Sequence, residues 1–196
     1  IRFVMVRKVI QAGHPGLKTK NKLVKYIKSP IIQKLIKDLK NTMYKTGLIG
    51  IAANQINENK MIIVTHPRTT KARKLGKKDK LRVFINPIYT FKSKKENLIY
   101  EGCGSVGDIF GPVKRPSEIE IEAFDEMGTK FSLRCDGILA RVLQHELDHL
   151  SGIEFIEKVD DYSKIISTEF YRKTIRNSRE QLKNSAVGKI DYRVIL

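Results

Sequence analysis

Two histidines, His145 and His149, lie four positions apart around a glutamate, Glu146, in the pattern HExxH. Residues four apart on an α-helix project from the same face, so both imidazoles can bind one divalent metal ion. The neighbouring glutamate can accept a proton from water. The surrounding positions are mostly apolar, and a metal ion would explain why two imidazoles and a carboxylate are placed among them. The motif therefore predicts a catalytic metal site.

The third protein ligand decides the class of such a site, because a catalytic centre usually has three ligands and one open position. Phe155 lies where the metzincin pattern requires a third histidine, which excludes that class. Glu169 is compatible with a gluzincin-type metallopeptidase that has His, His and Glu ligands. Cys103 is the other candidate, since Gly102 and Gly104 beside it allow close approach of the backbone. Residue types alone leave both candidates open.

Three motifs in a fixed order make the chain resemble the peptide deformylase family over nearly its whole length. They are GIAANQ at residues 50–55, EGCGS at 101–105 and QHELDH at 144–149. A fourth segment, GHPGL at 13–17, is similar to the N-terminal part of that family. The resemblance implies a mononuclear enzyme, usually ferrous, that removes the formyl group from formylmethionine at the start of nascent polypeptides.

The same resemblance implies a role for each site residue. It selects Cys103, with His145 and His149, as the ligands of Fe²⁺, with Zn²⁺ or another divalent ion also suited to this donor set. Glu146 is then the general base and acid, and the Gln55 amide with the Gly104 N–H stabilises the developing oxyanion. For the substrate, the resemblance implies a methionine pocket formed by Ile49, Gly50, Ile138 and Val142. It also implies that the main chain of Gly102 pairs with the substrate like a neighbouring strand.

Three positions near these motifs depart from the family pattern. Leu48 replaces a usual glycine, Gly104 replaces a usual leucine, and Phe110 lies near the position of an arginine. We expect these changes to affect substrate fit and rate more than the reaction, and we expect position 104 to tolerate leucine because every residue except proline supplies its N–H. A catalytically weak deformylase-like metal-binding protein is the remaining alternative.

The elements that must position these residues predict an α+β fold, with mixed or antiparallel sheets packed around a buried central helix that carries HExxH. We expect one domain over residues 1–196, with 1–4 as an upstream extension. The central helix extends from a cap at Asp136 to Gly152. The other predicted elements are a helix from Ser29 to Gly47 with Ile31, Leu35, Leu39 and Met43 on its core face, strands at 61–65, 81–90, 118–124 and 129–135, a basic amphipathic helix at 161–184 and a terminal strand at 189–196.

Charge and composition limit the partners. The 38 basic and 21 acidic residues give a net charge of +17, which favours an anionic partner such as the ribosome surface. The densest basic cluster, at residues 71–80, lacks aromatic side chains for base stacking, so we expect no sequence-specific nucleic-acid binding. No apolar run reaches the roughly 18 residues of a membrane span. We therefore expect a soluble, cytoplasmic protein that acts on nascent peptides and not at a membrane.

Overall fold

The computed structural model describes residues 5–70 and 73–195. In chain order its helices and strands are α1 Pro30–Lys45, β1 Gly50–Ala52, β2 Ile62–Thr65, β3 Arg82–Lys92, β4 Glu96–Cys103, β5 Val106–Pro116, β6 Glu118–Phe124, β7 Lys130–Asp136, α2 Gly137–Leu150, β8 Ile166–Ser167, α3 Thr168–Phe170, α4 Arg179–Ser185 and β9 Ile190–Val194. The predicted extension at 1–4, Lys71 of the basic cluster and Leu196 of the terminal strand lie outside the described residues.

Six strands form one antiparallel sheet in the order β1-β2-β3-β6-β7-β9. Alternate residues of β2 face opposite sides of this sheet, as the period of two requires. Ile63 packs into the core that contains α2, whereas Ile62 and Val64 pack into the core that contains α1. The sheet therefore separates the two long helices, and the predicted α+β class is confirmed.

Helix α2 is buried along nearly its whole length, with Asp148 as its one residue that is not buried. Its apolar side chains pack against β6 and β7 in the larger core. Asp136 is the N-cap residue of α2, as predicted, but its carboxylate accepts no hydrogen bond from the helix. It accepts instead from the main-chain N–H groups of Gly188 and Lys189, at 2.8 and 2.9 Å, and so holds the start of β9.

A second sheet has the order β4-β5-β8 and supplies the other side of the site. β4 and β5 pair antiparallel, with a register shift between Glu101 and Cys103. A small apolar core with Val113 and Phe155 fully buried lies behind these strands. Strand β4 thus brings Glu101 and Cys103 to the same end of the molecule as the histidines of α2.

The core face of α1 differs from the prediction at one position. Ile31 is 78% exposed, whereas Ile32 is buried. A helix turns about 100° per residue, so a spacing of four rotates each successive side chain by about 40° from the one before. Leu35, Leu39 and Met43 remain within the buried arc, but Ile31 at the start of the series lies outside it.

The continuous basic helix predicted at 161–184 is wrong. Residues Ile166–Ser167 form β8, which pairs with Ile109 and Phe110 of β5. A short helix then begins at a Ser167 cap, a π-helical turn follows at Tyr171–Ile175, and α4 begins at a Ser178 cap. Serine side chains compete for main-chain N–H groups and so start new helices instead of continuing one.

Within residues 5–70 and 73–195, none of the helices has both the length and the apolar character that crossing a bilayer requires.

Candidate metal centre

Cys103, His145 and His149 form a cluster in which one ligand atom from each lies within 4.8 Å of the others. The two histidines come from consecutive turns of α2, and Cys103 is the last residue of β4. The Cys103 Sγ lies 3.1 Å from His149 Nε2, and the thiol is free of any disulfide. One sulfur and two imidazole nitrogens at this separation fit a divalent ion such as zinc or ferrous iron.

Glu169, the other candidate for the third ligand, lies elsewhere. Its side chain is 76% exposed and its carboxylate pairs with Lys173 at 2.7 Å. The short helix that begins at Ser167 carries it on the surface. The structure thus brings Cys103 to the histidines and leaves Glu169 out of the cluster, which argues against gluzincin-type ligation.

Glu101 orients the imidazole of His145 through a hydrogen bond with the ring nitrogen Nδ1. Its Oε2 accepts a hydrogen bond from His145 Nδ1 at 2.9 Å, which leaves the other ring nitrogen free to face the cluster. Burial opposes ionisation of Glu101, but Arg115 and His145 hold the pKa of this carboxyl well below its usual range. Arg115 also donates to Asp148 at 2.5 Å. Asp148, Arg115 and Glu101 therefore form one chain of contacts that ends on His145.

Arg141 is a further member of this network that the sequence did not reveal. It donates to Glu101 at 2.8 Å and to the carbonyl of Asn97 at 2.9 Å, and its side chain is only 4% exposed. The sequence does contain a signal for this contact, because Arg141 lies one turn before His145 within the apolar arc of a helix that is predicted to be buried. A charge buried there needs a carboxylate partner, and Glu101 supplies one.

Glu146 is buried against strand β1. A Cβ atom placed on Gly50 would lie 2.5 Å from Glu146 Oε1, so only glycine at position 50 allows this approach. One carboxylate oxygen, Oε2, has no hydrogen-bond partner among the described residues. Burial, partly opposed by His145, raises the pKa of Glu146 to about 7. A carboxyl with that pKa can both accept and return a proton at neutral pH.

Gln55 follows β1 in a short 3₁₀ helix, Ala53–Ile56, which turns its side chain toward the cluster. The amide oxygen accepts from the Ala52 N–H at 2.8 Å, and this contact directs the amide nitrogen to the opposite side. That nitrogen lies 3.5 Å from Cys103 Sγ and 3.2 Å from the Ser105 hydroxyl. Ser105 is a contact that sequence reasoning missed.

A cavity of about 370 Å³ opens beside the cluster. All the residues predicted to act on the substrate line it, namely Ile49, Gly50, Gln55, Gly102, Gly104, Ile138, Val142 and Glu146. The departures Leu48 and Phe110 line it too. Leu48 lies against Gly104, and the ring of Phe110 stacks on Tyr171 at 3.8 Å between centroids. The cavity therefore joins the metal cluster to the positions that distinguish this chain.

Comparison with known proteins agrees with this geometry. Residues 6–164 match the family model of polypeptide deformylase. Peptide deformylase 1 of Ralstonia nicotianae is 40% identical over 126 residues, which cover 64% of this chain and 70% of that protein. The peptide deformylase of Psychrobacter cryohalolentis is 35% identical over 173 residues, covering 88% and 90%.

Solved structures give the same result. The Met-Ala-Ser-bound class I type b peptide deformylase of Acinetobacter baumannii superposes with a TM-score of 0.74 at 29% identity, covering 80% of this chain and 100% of that one. A Plasmodium falciparum peptide deformylase in complex with an inhibitor covers 90% of this chain with a TM-score of 0.67 and 30% identity. The family match, the relatives and the shared fold together show that this chain belongs to the polypeptide deformylase family.

Proposed function

We propose that this protein hydrolyses the formyl amide at the N-terminus of formylmethionyl nascent peptides and releases formate. The observation that carries this proposal is the placement of Glu146 beside the Cys103, His145 and His149 cluster, in the lining of one cavity of about 370 Å³. Acyl-amide hydrolysis needs a water nucleophile, a proton carrier and a stabilised oxyanion, and this site has a residue for each task.

Cys103, His145 and His149 would hold the metal ion. We favour Fe²⁺, on the resemblance to the family, over Zn²⁺, which the same donors also bind. When bound, the ion would lower the pKa of a coordinated water toward neutrality and share the charge that develops on the formyl oxygen. The hydrogen bond from His145 Nδ1 to Glu101 keeps the imidazole in the orientation that such binding needs.

Glu146 moves the proton in this proposal. Its carboxylate takes a proton from the attacking water as the oxygen bonds to the formyl carbon, and it returns that proton to the methionine nitrogen as the C–N bond breaks. The amide nitrogen of Gln55, aimed toward Cys103 by the contact with Ala52, donates to the oxyanion together with the Gly104 N–H. The products are formate and a free N-terminal methionine.

The methionine side chain would lie in the apolar part of the cavity, against Ile49, Ile138 and Val142. These aliphatic groups suit an unbranched thioether. Gly102, on the edge of β4, would pair with the main chain of the substrate. The cytoplasmic location and the contact with the ribosome surface inferred from the sequence stay predictions.

Formate release from formyl-Met-Ala-Ser tests this function, with acetyl-Met-Ala-Ser and an unmodified peptide as controls, in protein prepared anaerobically and analysed for metal. We expect formate from the formyl peptide, with all internal peptide bonds intact. Cleavage of internal bonds without formate would assign the chain to the metallopeptidases. Bound metal without turnover of any peptide would make it a silent metal-binding protein.

A further inference from the structure

Helix α4 covers part of the edge of β4, next to the position where a substrate would pair. Gln181 makes two hydrogen bonds to Tyr100, in which its Oε1 accepts from the main-chain N–H at 3.1 Å and its Nε2 donates to the carbonyl at 3.2 Å. One turn later, Asn184 Nδ2 donates to the Leu98 carbonyl at 3.0 Å. An added peptide strand therefore cannot continue along β4 past Tyr100.

Helix α4 does not cover Gly102, so this residue is the position on the edge of β4 where a substrate can pair. Gly102 lies two residues beyond Tyr100 on β4, at the register shift between Glu101 and Cys103 where the regular pairing with β5 is interrupted. It lines the cavity, and the ring of Phe110 lies over it, with the nearest ring atom 2.7 Å from a Cβ built at position 102. A substrate chain that pairs there must then leave the strand edge and follow the cavity wall.

That wall comes from the segment after residue 164, outside the family match. Tyr171 stacks on Phe110 with an angle of 6° between the rings. Arg172 lies in the same π-helical turn as Tyr171, and Arg176 is the residue that ends this turn. Both arginines also line the cavity. Arg73 faces them from the loop before β3.

These three arginines have no carboxylate partner at ion-pair distance among the described residues. No ion pair within residues 5–70 and 73–195 includes Arg73, Arg172 or Arg176. Arg141, which lines the same cavity, is instead paired with Glu101. Arg73 is held in place by the Arg68 carbonyl at 3.0 Å and by that of Pro67. Burial and the nearby Arg176 lower the pKa of Arg73, but a guanidinium stays protonated at neutral pH.

We propose that Arg73, Arg172 and Arg176 form a subsite for acidic side chains in the peptide substrate, at positions shortly after the formylated methionine. This inference rests on the proposed function, because it needs a peptide that pairs at Gly102 and then turns along the wall. Guanidinium groups bind carboxylates with charge-assisted, often bidentate hydrogen bonds. The subsite makes the enzyme prefer nascent chains with acidic residues near their start.

The test compares formyl-Met-Ala-Glu-Glu-Ala amide with its neutral isostere, formyl-Met-Ala-Gln-Gln-Ala amide, so that side-chain carboxylates alone differ. We expect kcat/KM to be about five- to tenfold higher for the acidic peptide at low ionic strength, mainly through KM, and the ratio to shrink in 0.5 M salt. The variant R172Q/R176Q should reduce the ratio to less than about twofold. The matched control K164Q/K173Q removes the same charge from exposed sites on the same segment and should keep the wild-type ratio.

Equal kcat/KM for the two peptides, or a ratio that survives in R172Q/R176Q, would overturn the subsite. Binding of the unformylated products, Met-Ala-Glu-Glu-Ala amide and Met-Ala-Gln-Gln-Ala amide, separates this result from failure of the proposed function. If no formyl peptide is turned over but the acidic product binds several-fold more tightly, the function is wrong and the anionic subsite stands. If neither turnover nor binding shows the preference, the subsite is rejected.

Discussion

The side chain of Leu48 occupies the space that a side chain at position 104 would need. A Cβ atom built on Gly104 would lie 2.9 Å from both Cδ1 and Cδ2 of Leu48, closer than real Cβ contacts. The resemblance of the motifs implies glycine and leucine at these two positions, and this chain has leucine and glycine. The two departures from the family pattern therefore compensate each other: the larger side chain at position 48 fills the space that the smaller residue at position 104 leaves beside the metal cluster.

Leucine at position 104 should consequently be harmful by itself, contrary to the tolerance expected from the sequence. Gly104→Leu would displace Leu48 and cost about 1–3 kcal/mol of stability, with kcat/KM lowered about tenfold. Leu48→Gly/Gly104→Leu should recover most of both losses. A double-mutant cycle on thermal unfolding and formate release measures the coupling between the sites. Strictly additive effects would show that the two side chains do not compete for this space.

Replacement of the sulfur ligand should separate the two candidate ligand sets. Cys103→Ala removes one of the three donors of the cluster, so we expect loss of bound metal and of activity. Glu169→Ala should leave the metal content of the purified protein unchanged, because Glu169 is exposed and pairs with Lys173. Metal analysis of both variants checks this prediction. Metal retained in Cys103→Ala but lost in Glu169→Ala would reverse the assignment.

Glu101→Gln should weaken metal binding although it replaces none of the three ligands. Glutamine keeps the shape but removes the negative charge that Arg115, Arg141 and His145 share. We expect metal affinity to fall roughly 10- to 100-fold and the melting temperature to drop. Competition with a chelator measures the affinity, and the control is Glu118→Gln, which removes a half-buried carboxylate that pairs with Arg134 and Lys189. An unchanged affinity would remove Glu101 from its orienting role.

Gly50→Ala should impair the proton carrier. The added methyl group would lie 2.5 Å from Glu146 Oε1 and from Val142 Cγ1, so both side chains must move. We expect kcat to fall more than tenfold while the bound metal remains, because the three ligands lie elsewhere. Gly107→Ala is the matched control, since its Cβ would meet its nearest neighbour, Gln11 Oε1, at 3.7 Å. Wild-type kcat in Gly50→Ala would mean that Glu146 does not need its present position.

Local patterns predicted the elements that depend on local physics. The HExxH spacing and the apolar arc around it indicated the buried helix α2, since both follow from the 3.6-residue period. The alternation of Glu118–Phe124 indicated β6 with the bounds that the structure has. The family assignment, which needed three motifs in order, is confirmed by the match over residues 6–164.

Contacts between distant parts of the chain escaped prediction. The Asp136 carboxylate accepts from Gly188 and Lys189 and not from the first turn of α2, and the pairing of Ile166 with Phe110 interrupts the helix predicted at 161–184. The contact of Leu48 with Gly104 is of the same kind, because two loops far apart in sequence meet only in the folded chain. The Ser178 cap, by contrast, had a local signal, in the pattern SxxQ that ends at Gln181.

The most direct test of the account is the rate of formate release from formyl-Met-Ala-Ser by the wild-type protein and by Glu146→Gln at equal metal content. Glutamine preserves the shape of the side chain and leaves Cys103, His145 and His149 in place, but it cannot accept the proton of water. We predict measurable turnover by the wild type and a kcat lower by about 10² or more in the variant, with the metal retained. Equal turnover by the two metal-loaded proteins would contradict the role of Glu146, and absence of formate from both would contradict the proposed function itself.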